Sequence, residues 1–288
     1  MPIVSLIARP GHLDPALVEN LRNAWGGGTA SWLSPDEAAE FPCAELPAHA
    51  ADIASEIRET GTDLAVLPDG NRKKQLLIAD MDSTMIEQEC IDELADVAGI
   101  GDAVKDITAR AMNGELDFEA ALIERVGLLK GLDEAVIDEV YANRITLAKG
   151  GPVLLATMRK AGAVAALVSG GFTQFTDKVA STLGFHHHRA NRLLTAAGML
   201  TGEVGRPILG RDAKIAALNE YSAPFGGPQS AVAVGDGAND LGMLEAAGLG
   251  VALHAKPSVA AAAPHRIDHG DLTALLFLQG YARSEFAE

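Results

Sequence analysis

Hydrophobic and polar positions fall into two regimes along this chain, and the changes between them mark its parts. From Gly151 onward, short apolar runs bounded by glycine or polar residues alternate with stretches of helical spacing. The runs at 163–168, 231–234 and 249–253 read as buried strands. The stretches 152–160, 172–183, 213–221, 239–246, 256–262 and 272–278 read as helices. Segments 187–193 and 199–204 flank Gly198 and read as a hairpin. Leu76-Leu77-Ile78-Ala79 belongs to the same regime, because an apolar run without charge suits a strand covered on both faces of a parallel sheet. Between that run and Gly151 the spacing is helical, at 85–97, 102–112, 118–129 and 134–141. A block of helices between one strand and the next predicts a cap, at about 90–148, inserted into an α/β core with a parallel sheet over 75–288.

Residues 1–70 stand apart. Segments 3–7 and 63–67 read as strands, Trp32-Leu33 as a short third one, and 13–25 and 48–59 as helices. Gly26-Gly27-Gly28 and the segment around Pro42 and Pro47 read as loops. The turn signal Pro68-Asp69-Gly70-Asn71 and the basic run Arg72-Lys73-Lys74 close this small α+β domain. It carries no cluster of catalytic residue types, so its expected role is regulation or docking.

Composition narrows the partners. Lys plus Arg is 23 against 39 for Asp plus Glu, a formal charge of −16. That field disfavours nucleic acid and anionic membrane surfaces, so an anionic small molecule would have to be drawn in by a local group of cations. Cys43 and Cys90 form neither a disulfide framework nor a zinc set and are expected to pack. The start lacks a basic region followed by a long apolar core, and no 18-residue apolar run occurs. The expected compartment is therefore the cytoplasm. Homodimerisation is left open by the sequence.

The chemistry gathers at strand ends. Asp80 and Asp82 follow the first core strand two residues apart, so on an extended chain they start on the same side. Two carboxylates that close repel, which a hard cation such as Mg2+ relieves. Alternatively, one of them is a nucleophile that forms an aspartyl phosphate. Ser169-Gly170-Gly171 and Gly235-Asp236-Gly237-Ala238-Asn239-Asp240 end two further strands, and Lys214 lies in a helix between them. Taken singly, a D-x-D pair, a Ser-Gly-Gly turn and a lone lysine have ordinary structural readings. Together, at one edge of a parallel sheet, they define a site for phosphoryl chemistry. Asp80 would be the nucleophile and Asp82 the general acid, then the general base. Ser169 with the N–H groups of Gly170 and Gly171 would cradle phosphate oxygens, and Lys214 would offset their charge. Asp236 would complete an Mg2+ site with Asp80 and the backbone carbonyl of Asp82, supported by Asn239 and Asp240. His186-His187-His188 cannot converge on one ion from a strand and reads as a polar edge. His254, His265 and His269 read as isolated.

These four motifs, in this order, resemble those of the haloacid dehalogenase superfamily. Over about residues 75–278 the chain is similar to the phosphoserine phosphatases within it. The resemblance implies an Mg2+-dependent phosphomonoester hydrolase that converts O-phospho-L-serine to L-serine and phosphate, the last step of serine biosynthesis, through an aspartyl phosphate. It places Glu89, on the first helix after the catalytic turn, where the family holds the substrate ammonium. Phe118 and Arg125, seven apart on one cap helix, match its apolar lid residue and the arginine that grips the substrate carboxylate. It also implies a helical cap over a Rossmann-like core, and suggests an ACT-like fold for residues 1–70. Phosphoryl transfer to another alcohol, and a phosphorylatable regulatory module without turnover, are the competing readings.

Overall fold

The computed structural model describes residues 1–112 and 115–287; Asn113 and Gly114, within the expected cap, and Glu288, at the end of the expected core, lie outside the described residues. The chain opens with β1 (Ile3–Ala8), α1 (Pro15–Ala24), β2 (Ser31–Ser34), β3 (Ala38–Pro42), α2 (Ala50–Glu59) and β4 (Thr62–Leu67). Its four strands make an antiparallel sheet in the order β2-β3-β1-β4. β1 alternates strictly. Val4, Leu6 and Ala8 pack with Leu21, Trp25 and Ile57 of the two helices, whereas Ile7 joins the larger core beyond the sheet. β3 replaces the loop expected around Pro42. Proline is tolerated there because it closes the strand beyond β2, whose pairing begins at Glu40.

The second sheet is wholly parallel and orders six strands β12-β11-β10-β5-β6-β7. β5 (Leu76–Ala79) is central. A helical cap follows it: α3 (Cys90–Val97), α4 (Gly101–Met112), α5 (Phe118–Gly127) and α6 (Val136–Arg144). The chain then returns through α7 (Gly151–Lys160), β6 (Val164–Phe172), α8 (Thr173–Leu183) and β7 (His187–Asn191), and forms a hairpin of β8 (Leu193–Ala196) and β9 (Met199–Val204). It ends with α9 (Arg211–Ser222), β10 (Ala231–Gly235), α10 (Leu241–Ala246), β11 (Leu249–Leu253), α11 (Pro257–Ala262), β12 (His265–Ile267) and α12 (Ala274–Leu278). Each residue of β5 is buried. Leu77 and Ala79 face one apolar cluster and Leu76 and Ile78 the other, as a strand covered on both faces requires.

Four expectations need correcting. The segment after Gly184 is not the first arm of a hairpin. α8 carries the chain back so that β7 pairs parallel to β6, and β8 is the hairpin's first arm. Ser169-Gly170-Gly171 lies inside β6, not beyond its end. The helix expected from residue 85 starts at Cys90. The Met81 carbonyl accepts bonds from the N–H groups of Thr84, Met85 and Ile86, and Ile86 bridges to Leu147. Glu89 is therefore the N-cap of α3 rather than a residue within it. β12, with three residues, is too short to read from periodicity. Among the described residues, no helix is long and apolar enough to cross a membrane. Both cysteines are buried, and burial pushes the Cys90 thiol up.

The two sheets are fastened by polar contacts as well as apolar ones. Buried Asp63, on β4, accepts the N–H groups of Asp268, His269 and Gly270 at 2.8, 3.0 and 3.0 Å. Arg72 bonds Glu40 of the first sheet and the carbonyls of Phe277 and Leu278 of the core. Asp63→Ala would strand three backbone donors in a region with little access for water. It should cost about 3 kcal/mol in urea unfolding, with Asp63→Asn, which keeps one acceptor, costing less. A loss close to zero for the alanine variant would show that water replaces the carboxylate.

Candidate active site

Strand register brings the chemistry to one place. Ala79 of β5 lies level with Val234 of β10 on one side and Leu167 of β6 on the other. Asp80 and Asp236, just past the ends of β5 and β10, and Ser169, within β6, therefore lie at the same edge of the sheet. Beneath them Lys214, on α9 and only 1% exposed, places its Nζ 2.7 Å from Asp80 Oδ1 and 2.5 Å from Asp240 Oδ1. The Gly237 N–H donates to Asp240 Oδ2 at 3.0 Å. A Cβ on Gly235 would fall 2.3 Å from the Asp240 carboxyl carbon, so only glycine lets that side chain turn under the strand end.

The charges do not balance. Carboxylate oxygens of Asp80, Asp236 and Asp240 lie within 4.8 Å of one another, the only such group among the described residues. Burial, then the Asp240 charge, holds Asp80 well above the usual carboxylate range despite Lys214. Burial and Asp240 also raise Asp236, against a 3.2 Å hydrogen bond from Thr84 Oγ1 and the charges of Lys214 and Lys256. Burial would lower the Lys214 ammonium, but Asp80 and Asp240 outweigh it and hold the group above its ordinary value. One ammonium for three crowded carboxylates leaves room for a metal ion. An all-oxygen donor set suits a hard one. Asp240, with its oxygens engaged by Lys214 and Gly237, is the least free of the three to ligate.

The turn after β5 sets Asp82. Its Oδ1 accepts the Cys90 N–H at 2.8 Å and its Oδ2 the Ser169 hydroxyl at 3.1 Å. Ser169 Oγ in turn accepts the Gly171 N–H at 2.8 Å. A Cβ on Gly171 would lie 2.5 Å from Asp82 Oδ2 and 3.1 Å from Ser169 Oγ. Ser83 takes a left-handed conformation, φ 54°, and donates its hydroxyl to Glu89 Oε1 at 2.9 Å. Glu89 is open to the cleft on one side and surrounded by protein on the others. Burial first, then Asp82, with Asp236 and Asp92 adding, push its carboxyl up to about 7, against the Ser83 bond.

Above this edge lies a cleft of about 530 Å³, roofed by α4 and α5 of the cap. Asp80, Asp82, Ser169 and Asp236 line its floor, and Glu89, Phe118 and Arg125 line its upper part. Gly170, Gly171 and Asn239 also face it, whereas Lys214 and Asp240 sit beneath the floor. Phe118 closes the cap onto the core. A Cβ on Gly170 would meet its ring at 3.2 Å, and one on Gly210 at 3.4 Å. Arg125 donates to the Ala121 carbonyl at 3.3 Å and, among the described residues, has no carboxylate within 4.0 Å. Burial pulls its guanidinium down against the charges of Asp92, Glu89 and Asp82.

Two lining cations, Arg211 and Lys256, were not anticipated from the sequence. The signal for Lys256 was its place just past β11, at the edge where the other strands open. Arg211 precedes Lys214 by three residues on one helix. A second cavity, of about 440 Å³, lies between the first sheet and the core, where Ile7, His12, Lys149 and His269 line it. It lies away from the carboxylate cluster. The histidine run forms part of an edge: His186 Nδ1 accepts the Ala165 N–H at 3.0 Å and His187 stacks on Tyr221.

Residues 77–245 match the model of the haloacid dehalogenase-like hydrolases. With the four motif segments gathered at one sheet edge under a helical cap, the chain belongs to that family. Its relatives include the phosphoserine phosphatase of Streptococcus thermophilus, 45% identical over 200 residues, which are 69% of this chain and 93% of that one. The phosphoserine phosphatase of Streptomyces coelicolor is 44% identical over 236 residues, 81% of this chain but 57% of the relative, so the chain spans less than two thirds of that protein. Among solved structures, a probable phosphoserine phosphatase from Vibrio cholerae superposes with a TM-score of 0.79 at 33% identity, covering 99% of this chain and 88% of that one.

The packing at Gly171 makes a direct prediction. Gly171→Ala should displace Asp82 or Ser169 by the better part of an ångström. It should lower kcat for phosphomonoester hydrolysis by about 10²-fold while leaving the unfolding midpoint near that of the parent. Undiminished turnover in that variant would show that the turn has slack.

Proposed function

We propose that this chain hydrolyses O-phospho-L-serine to L-serine and phosphate in the cytoplasm, the last step of L-serine biosynthesis, with Mg2+ as its cation. One observation carries the reading. Among the described residues, a single cleft joins a floor built on Asp80, Asp82 and Ser169 to a roof with one acid, Glu89, and one cation without an ion pair, Arg125. Phosphoserine has the matching layout, with a phosphate at one end and an ammonium and a carboxylate at the other. The names of the relatives support the same substrate.

In this mechanism Asp80 attacks phosphorus, and the serine oxygen leaves with a proton delivered by Asp82. Asp80 then carries the phosphoryl group as an acyl phosphate. Asp82 takes a proton from water, the water oxygen attacks phosphorus, and phosphate departs as the Asp80 carboxylate re-forms. Ser169 and the Gly170 N–H hold the phosphoryl oxygens, with Asn239 beside them, whereas the Gly171 N–H, expected to join them, donates to Ser169 Oγ and positions that hydroxyl. Lys214 offsets the charge of Asp80 from below and is itself fixed by Asp240. Asp80, the backbone carbonyl of Asp82 and Asp236 would hold Mg2+. When bound, it supplies positive charge against the phosphoryl oxygens and the carboxylates. Phe118 seals the cleft from water, Arg125 pairs with the substrate carboxylate and Glu89 with its ammonium.

Two experiments test this. Assayed with Mg2+ on a panel of phosphomonoesters, the protein should favour phosphoserine and release serine and free phosphate in equal amounts. Asp80→Asn should abolish both while keeping the fold. Ordinary turnover by that variant would remove Asp80 from its role, and a phosphorylated acceptor in place of free phosphate would overturn hydrolysis.

The second experiment uses pH. The Glu89 carboxyl is raised from 4.5 to about 7, so its charged form predominates above that value and is progressively lost as pH falls through it. The ratio of kcat/KM for phosphoserine to that for p-nitrophenyl phosphate cancels the groups both substrates share, and it should fall as pH drops through about 7. In Glu89→Gln the ratio should be low and flat. A ratio independent of pH in the parent would take Glu89 away from the ammonium.

A further inference from the structure

Asn191, the last residue of β7, lies outside the cleft and is 2% exposed. Its side-chain amide nevertheless binds Gly170, which lines the cleft, and Leu209, just before the helix that carries Lys214. Nδ2 donates to the Gly170 carbonyl at 2.8 Å and to the Leu209 carbonyl at 3.1 Å, while Oδ1 accepts the Leu209 N–H at 2.7 Å. These bonds fall at a break in the sheet. The register between β6 and β7 shifts between Val168 and Phe172, and Phe172 is the residue that pairs with Asn191. Ser169, Gly170 and Gly171 occupy that break.

We propose that Asn191 is a positioning residue that fixes the Gly170–Gly171 peptide, and through it Ser169 and Asp82, while tying the same turn to the segment that leads into the Lys214 helix. The inference rests on the phosphatase reading of those groups. A trans peptide is rigid and planar, with its carbonyl and N–H pointing in opposite directions. The amide hydrogen of Asn191 that holds the Gly170 oxygen therefore also aims the Gly171 N–H at Ser169 Oγ, 2.8 Å away. With that lone pair of the hydroxyl occupied, its hydrogen points to Asp82 Oδ2 at 3.1 Å. The sequence of donors runs from Asn191 through one peptide and one hydroxyl to the acid–base carboxylate. On its other side, the paired bonds to Leu209 fix the chain two residues before α9 begins at Arg211. Asparagine suits the position because one short planar group offers both two donors and an acceptor.

Asn191→Asp keeps the shape and the acceptor for the Leu209 N–H but loses both donors. In full-length protein with Mg2+, inorganic phosphate binding, read by calorimetry, should weaken about tenfold, and kcat for phosphoserine should fall by about 10–100-fold. The affinity for L-serine, which uses Arg125 and Glu89, should stay within about twofold, a split that general loosening of the structure would not produce. In a Ser169→Ala background the same substitution should have much less effect on phosphate affinity, because the two act in series. Asn191→Ser, which retains one shorter donor, should fall between parent and Asn191→Asp, and serves as the readout if the aspartate variant does not fold. Parent-like phosphate affinity in both variants, equal losses for phosphate and serine, or full additivity with Ser169→Ala would each overturn the proposal. A parent protein that binds phosphate but hydrolyses nothing would refute the phosphoserine reading alone, since the affinity measurements judge Asn191 without turnover.

Discussion

Everything at this site depends on how an almost fully buried ammonium is kept charged. Taking Lys214 out of water costs several kcal/mol, which only close carboxylates repay. Asp80 and Asp240 supply them at 2.7 and 2.5 Å. The pairing fixes more than a charge. It locks α9 against the ends of β5 and β10, so the side chain read as the nucleophile cannot swing with solvent. It also leaves Asp236 and part of Asp80 without a cation of their own. A site built in this way is poised for a further positive ion and then for an anionic phosphoryl group, because each added charge relieves the one before it.

Placing these groups needs close backbone approach, and the glycines provide it. Gly235 lets Asp240 tuck beneath the strand end, and Gly171 lets Asp82 and Ser169 meet. The break between β6 and β7 then turns Ser169, Gly170 and Gly171 away from regular pairing without cutting β6 short. A sheet that simply ended at Val168 would leave that segment as a free loop. A sheet that continued without a shift would engage the same N–H groups in its ladder. The register shift gives a third arrangement, in which the segment is held by the sheet and still lines the cleft, with the Gly171 N–H turned to Ser169 Oγ.

The sequence made the floor of the site legible because its parts are short, contiguous and chemically odd. Paired acids directly after an apolar run, and two acids and an amide among glycines, have few uses in a solvated turn. The central strand was legible for a similar reason, since Leu76 to Ala79 has no polar face to present. What escaped depends on chain return. Asn191 looks like any polar residue at a strand end until the register shift sets it against Gly170 and Leu209. Arg211 and Lys256 acquire meaning only when the cap closes over them. β3 hid behind Pro42, whose missing N–H falls where β2 has not yet begun. Glu89 was placed on a helix because the apolar spacing continues back through Met85 and Ile86, yet the Met81 carbonyl and Leu147 claim those residues first. Periodicity records which faces are apolar and says nothing about which local bond forms in preference to another.

The formal charge of −16 sharpens the demand on the cleft. At physiological salt, the repulsion an approaching anion feels from distant carboxylates is screened within about 8 Å, so capture is decided at the mouth and inside. There the cations are arranged in depth. Lys214 lies under the floor, Arg211 and Lys256 line the cavity, and Arg125 stands in the roof, without an ion-pair partner among the described residues. A plain phosphate ester would meet the deeper charges and leave Arg125 and Glu89 facing only solvent. A ligand that also carries a carboxylate and an ammonium satisfies both ends. On the proposed reading, discrimination would arise because a half-filled site leaves the half-buried Arg125 without a counter-charge, which is costlier than the loss of one contact. The acidic exterior and the cation-lined interior are thus compatible: the field outside gives anions no general attraction, and positive charge is concentrated inside the cleft, where the carboxylates crowd.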